Sequence, residues 1–268
     1  MSVPADRVAF KPRTWARVAW IALGLYVVYA FWRLDFNADR VVAGLDNGAK
    51  FLGRMFPPRI AQPDSLAKGL AESLEIAVLA SLLGILAALP IGLLAARNLM
   101  PAWVSWPARA IIAAARSFHP VIVAIVFVKA VGFGAIAGIG ALVVASIGFV
   151  GKLFAEAIEE ISLKQVEAVR ATGASFMNVI LYGVMPQVFG RFIGFATYSL
   201  DSNLRNSTMV GIVGAGGIGG TLFSAFQRFD YDFVAAILLS IIAMIMVGEV
   251  LATWVRKVFL GKGQVEDE

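Results

Sequence analysis

Long apolar runs, separated by short polar interruptions, dominate the pattern along this chain. Ile76–Ala96 is the cleanest, 21 residues without a charge, closed by Arg97. At 1.5 Å per residue, about 20 such residues cross a bilayer, so this run predicts a membrane-spanning helix, with Glu72 and Glu75 on a helical extension before it. Trp15–Trp32 predicts an earlier span with aromatic anchors near its ends. A third apolar region, Trp103–Val131, is interrupted by Arg109, Arg116 and the break Ser117–Pro120. Phe133–Leu153 predicts a fourth span, rich in the small residues that let helices approach closely. Phe176–Leu200 and Phe233–Trp254 predict a fifth and a sixth. Between the first two runs, Arg33–Lys68 carries mixed charge and three prolines, and reads as a solvated loop with one short surface helix.

Composition agrees with that pattern. Of 268 residues, 59% are hydrophobic and 15% charged, with a mean hydropathy of +0.80, whereas soluble domains average about 45–50% and about 25%. The expectation is an all-α integral membrane protein of about six helices. With no cysteine and one histidine, His119, disulfides, thiol nucleophiles and most metal sites are excluded. The basic start lacks a small-residue cleavage site, so the first span is read as retained. A net charge of +5 fits basic cytoplasmic ends better than nucleic-acid binding. Arg7, Lys11, Arg13 and Arg17 precede the first span and Arg256, Lys257 and Lys262 follow the last, which places both termini in the cytoplasm.

Two glycine motifs need weighing. Gly214–Gly219 spells G-x-G-x-x-G, but that fingerprint has meaning only between a strand and a helix. Between two spans it reads as a flexible or closely packed loop. No G-x-x-x-x-G-K-[ST] occurs, because Ser146 stands where the first glycine should be, before Gly151-Lys152. The chain therefore has no P-loop with which to hydrolyse ATP.

The segment from Ser162 to Pro186 is the positive signal. Ser162 and Gln165 have capping-box spacing, which predicts a helix from Leu163. Gly173 is placed to end it with a left-handed residue, and Ser175 to cap the next helix. Such a helix is about 15 Å long, too short to cross a bilayer. Glu167, Ala168, Arg170, Gly173 and Pro186 mark the stretch. On pattern alone, it is either an ordinary amphipathic connector or a docking element.

Glu-Ala, then Gly173, then a proline thirteen residues later resembles the cytoplasmic EAA loop of ABC-importer permeases. Leu89–Asn98, Ile147–Ile161 and Ser202–Leu222 further resemble the phosphonate-importer permeases, and the resemblance runs from about Ser65 to the end. Val169 replaces a frequent alanine. Methionine-importer permeases share the loop and the glycines but match the first two of these stretches less well. The resemblance implies the type I importer permease fold and a homodimer in the bacterial inner membrane. It also implies two separate ATP-binding subunits, which carry ATP and Mg, and an extracytoplasmic substrate-binding protein. Glu167, Ala168, Arg170, Gly173 and Pro186 would then couple to the ATPase, and the substrate would be a phosphonate or a related oxyanion such as phosphate or phosphite. Residues 1–268 read as one transmembrane domain: 1–64 a first span and outer loop, 65–257 the core permease helices, 258–268 a cytoplasmic tail.

Remaining polar residues define a candidate pathway. Asn203, Arg205, Asn206, Ser207 and Thr208 cluster at the expected outer end of span five, where a guanidinium fork with hydroxyl and amide donors suits an oxyanion. A pairing of Arg205 with Asp201, one turn away, is the structural alternative. Arg116 and His119 flank the Pro120 break and join the candidate list. Glu156, Glu159 and Glu160 are expected to be solvated or to face a basic partner. A secondary transporter would need intramembrane coupling-ion sites, and the spans are nearly free of acids; an intramembrane enzyme would need a nucleophile and base that this composition does not offer.

Overall fold

The computed structural model describes residues 14–34 and 37–260. Arg7, Lys11 and Arg13 of the first basic flank, and Lys262 and the tail from residue 261, lie outside the described residues. All the regular structure among the described residues is helical, and the chain divides into two compact units, the first ending at Arg54 and the second beginning at Met55.

The first unit contains α1 (Thr14–Arg33) and α2 (Ala38–Arg54). Apolar residues surround α1 on every side and none of its side chains is buried, the signature of a helix that faces hydrocarbon all round. In α2, Asn37 Oδ1 accepts the Asp39 N–H, a cap, and Lys50 pairs with Asp46 one turn away. The one helix expected within Arg33–Lys68 is therefore present, at 17 residues.

The second unit begins with α3 (Pro63–Ala95), which carries Glu72 and Glu75 on its extension as expected. Next come α4 (Ala102–Ser117) and α5 (Pro120–Val131), bent by 93° at the break. Pro120 cannot donate into the preceding turn and pushes residue 119 out of helical angles, so His119 is extended at φ −68°, ψ 140°. α6 (Ala135–Glu159) is followed by α7 (Leu163–Ala171). The fifth span starts as α8 (Phe176–Asn178), passes through a π-helical turn, Val179–Val184, and continues as α9 (Met185–Ile212). α10 (Ile218–Gln227) is short, and α11 (Tyr231–Leu260) is the last span. Among the described residues, five helical stretches are long and apolar enough to cross a membrane, or six if the bent α4–α5 pair counts as one.

Lipid tails offer helices no hydrophobic reward for associating, so close backbone approach and buried hydrogen bonds must hold the bundle. Small residues supply that approach. A Cβ on Gly84 of α3 would lie 2.4 Å from Cβ of Ser146 on α6, and one on Gly138 of α6 would lie 2.4 Å from the Ala215 carbonyl. Around this contact sit Ile76, Ala80, Ala124, Ala141, Leu142 and Val210. The glycine-rich stretch is the packed alternative, not the flexible one. Gly214, Gly216 and Gly217 take φ of 86°, 82° and 81°, and Ser73 Oγ accepts the buried Ile218 N–H at 2.9 Å.

Candidate functional site

Local sequence explains the form of the α7 end. Ser162 occupies the N-cap position and α7 begins at Leu163, but the serine side chain makes no capping bond. The Ser162 N–H instead donates to Gln187 Oε1 at 3.0 Å, and Gln187 Nε2 donates to the Gly183 carbonyl at 2.6 Å. The expected capping box is thus replaced by a glutamine 25 residues away, because Gln187 occupies the backbone donor that Gln165 would have used. Ser175 likewise sits at an N-cap without a side-chain bond. Gly173 ends α7 with φ 78°, as its position predicts.

Pro186 does not break the fifth span. It stands in the first turn of α9, where a missing N–H costs least, and the wider π turn precedes it. Gln187 ties this irregular turn to the start of α7. Only Val166 of α7 is buried, packed with Phe154, Ile158, Val179, Val184 and Val188. A Cβ on Gly183 would lie 3.3 Å from Val166 Cα, so α7 rests directly on the π turn. Glu167, Ala168 and Arg170 are exposed on its other sides. One face of α7 is thus anchored against the fifth span, and the other is exposed.

The acidic turn before α7 is not free. Glu159 accepts from the Arg109 guanidinium and the Arg97 N–H, Glu160 pairs with Arg191, and Glu156 pairs with Lys152. Asn98 Nδ2 donates to the Ile158 carbonyl. All three acids thus have intrachain partners; Glu160 and Glu156 stay solvated as expected, and Glu159 is the most enclosed.

The expected mouth cluster is redistributed around α9. This helix runs to Ile212, twelve residues past the expected end of the span, so residues 203–208 are helical and not at its tip. Asn203, Ser207 and Thr208 are buried. Asn203 Nδ2 donates to Ser81 Oγ on α3 and Ser146 Oγ on α6, both at 2.9 Å, and Ser207 Oγ donates to the Leu204 carbonyl. Arg205 points outward and pairs with Asp201; Asn206 meets Ser202 at 3.4 Å. Three of the five residues face the packed interior, and the guanidinium is already neutralised.

Arg116 and His119 lie elsewhere. His119 Nδ1 accepts the Val121 N–H at 3.3 Å, so the imidazole caps α5. Arg116 packs against Gly148, whose added Cβ would lie 2.7 Å from Arg116 Cγ. Gly148 is near the middle of α6. Among the described residues, no hydrogen bond or ion pair joins Arg116 or His119 to the α9 set.

Among the described residues, the second unit carries four candidate spans, or five with the bent α4–α5 pair, and a short helix fixed between two of them, the build of a polytopic membrane protein. Residues 88–260 match the family described as binding-protein-dependent transport system inner membrane component, and the chain belongs to that family. It is 38% identical over 248 residues to the phosphite transport system permease protein PtxC of Stutzerimonas stutzeri, covering 91% of this chain and 90% of that protein. It is also 38% identical over 234 residues to the phosphate-import permease protein PhnE of Mycolicibacterium smegmatis. That match covers 87% of this chain and 44% of the relative, so the chain spans less than half of that protein's length. Among solved structures, it shares its fold with an inward-facing methionine ABC transporter, MetNI, at a TM-score of 0.64 and 24% identity, over 73% of this chain and 96% of that one. The all-α permease fold and the ABC-importer family expected from the sequence are both borne out.

Proposed function

We propose that two copies of this chain form the translocation pathway of an ATP-driven importer for phosphonates or the related oxyanions phosphite and phosphate. The observation that carries the reading is α7, anchored inward by Val166 and through Gln187, with Glu167, Ala168 and Arg170 exposed. A separate ATPase subunit docks on each α7, binds ATP and Mg, and moves α7; the contact with the π turn transmits that movement to α9. An extracytoplasmic binding protein selects and delivers the substrate. Both termini and α7 face the cytoplasm. The choice of phosphorus oxyanions rests on the names of the two relatives, one a phosphite and one a phosphate permease. The likeness to the methionine transporter, at 24% identity, concerns the fold alone.

The experiment is uptake into proteoliposomes holding the permease, its ATPase and its binding protein. ATP-dependent accumulation of methylphosphonate, phosphite or phosphate is the expected result. Accumulation driven by an ion gradient without ATPase would make the chain a secondary transporter, and ATP-driven uptake of methionine alone would move it to the methionine class.

A further inference from the structure

Two arginines were candidates for meeting an anion, and their surroundings differ. Arg205 has its carboxylate. Among the described residues no carboxylate pairs with Arg116, although it lies against the middle of a span. Ionisable groups at membrane depth are costly and are kept for function or paired.

Arg116 is not isolated. Arg97, Arg109, Arg116 and Lys152 line one groove of about 280 Å³ between the end of α3, α4 and α6, together with Ile112, Ala155 and Glu156. Helical spacing makes it continuous. Arg109, Ile112 and Arg116 share one face of α4, and Gly148, Lys152, Ala155 and Glu159 share one face of α6. Arg109 meets Glu159 at one end and Arg116 meets Gly148 at the other. The separation of Gly148 and Glu159 along α6 is about 16 Å at 1.5 Å per residue. The groove therefore runs from the α7 end of the bundle to the middle of α6.

We infer that this groove is an anion station for the translocated phosphorus oxyanion on the α7 side of the membrane, an inference that rests on the transport reading above. Four cations face two carboxylates, Glu156 and Glu159, which hold Lys152 and Arg109 in place. Arg97 lies beside Glu159 at the α7 end, and the exposed Arg116, toward the middle of α6, supplies the unspent field. At about 30 Å³ per water, the groove takes an oxyanion that keeps part of its hydration. The guanidinium of Arg116 offers the planar fork that fits two oxygens of a tetrahedral anion. The two bracing carboxylates hold down the net charge, so the anion is attracted without being trapped, as a conducting path requires. A phospholipid headgroup offers the same phosphate chemistry, and the test separates the two sources.

The test uses the permease assembled with its ATPase in phosphatidylcholine nanodiscs, with phosphorus NMR line broadening of methylphosphonate, phosphite and phosphate as the binding readout. Wild type broadens at least one probe. Arg116→Gln weakens that binding about tenfold or more, as expected for loss of a charge-assisted contact; Arg116→Lys is intermediate. Gly148→Ala, which crowds the Arg116 stem without removing charge, also weakens it, and Arg228→Gln, a distant surface arginine, leaves it unchanged. Co-elution with the ATPase checks that every variant is assembled. The inference is overturned if wild type binds none of the probes, or if Arg116→Gln binds as wild type does. It is also overturned if phosphatidylglycerol added to the discs displaces the probe from wild type and proves the tighter ligand. Uptake by the same samples keeps the two readings apart. Unchanged ATP-driven uptake in Arg116→Gln removes the station and spares the transport reading, whereas probe binding without any wild-type uptake overturns the transport reading and leaves an anion site with no part in translocation.

Discussion

Arg205 on α9 and Arg116 on α4 are the same residue type in the same membrane bundle, and the chain treats them oppositely. Around Arg205 most polar groups find a partner inside the chain: Asp201 takes the guanidinium, Asn203 bridges three helices, and Ser207 bonds its own helix, while Thr208 Oγ1 is buried without a partner. Around Arg116 the neighbours are a glycine, an apolar wall, further cations and Glu156, which pairs with Lys152. Density of polar residues in the sequence is therefore a poor guide to where an anion passes. A cluster on one helix often satisfies itself, because residues three and four apart meet on the same face. A charge left over after that pairing is the more informative feature.

Breaking the α9 side of this contrast has the larger expected effect on stability. Asn203→Leu removes two interhelical hydrogen bonds between α9 and its neighbours. At roughly 0.6–2 kcal/mol each in a membrane bundle, the complex loses about 1–4 kcal/mol, read as a lower thermal midpoint in detergent and a smaller assembled yield. Uptake per assembled complex stays near wild type. Unchanged stability with altered uptake would place Asn203 on the pathway instead.

The Asp201–Arg205 pair sharpens the comparison with a smaller effect. Arg205 is about half exposed and the pair is i, i+4, so its coupling is expected at about 0.2–1 kcal/mol after solvent screening. Asp201→Ala and Arg205→Ala should cost uptake equally little, and the charge-swapped double variant should recover it. Loss of uptake in Arg205→Ala alone, with Asp201→Ala silent, would return Arg205 to the anion path.

Much of the architecture could be read from the hydrophobic pattern. The uncharged run at Ile76–Ala96 and the break at Ser117–Pro120 stand where α3 and the α4–α5 bend are, because apolar length and proline chemistry act locally. Gly173 was equally legible, since a left-handed helix end favours glycine strongly. Helix ends that depend on tertiary partners were not. α9 continues through Asn203–Thr208 because α3 and α6 offer hydroxyls to Asn203, a fact about three helices that no window on one of them contains. The role of Gln187 was missed for the same reason: its partner is Ser162, across the whole of α7. Its place directly after Pro186, at the start of α9, was the one local signal available. The acids at 156, 159 and 160 looked ready for a partner protein, yet cations on α4, α6 and α9 pair with them inside the chain.

The central claim is that α7 conveys ATPase movement to the membrane helices, and Glu167→Lys tests it most directly. Glu167 is exposed and α7 is held by Val166 and Gln187, so the reversed charge should leave the permease folded and inserted. The measurement is ATP hydrolysis by the ATPase subunit in the presence of wild-type or Glu167→Lys permease, with pull-down of the ATPase alongside. The account predicts weak capture of the ATPase and loss of permease-stimulated hydrolysis in the variant. Full capture and full stimulation would contradict it and leave α7 as a connector between two spans.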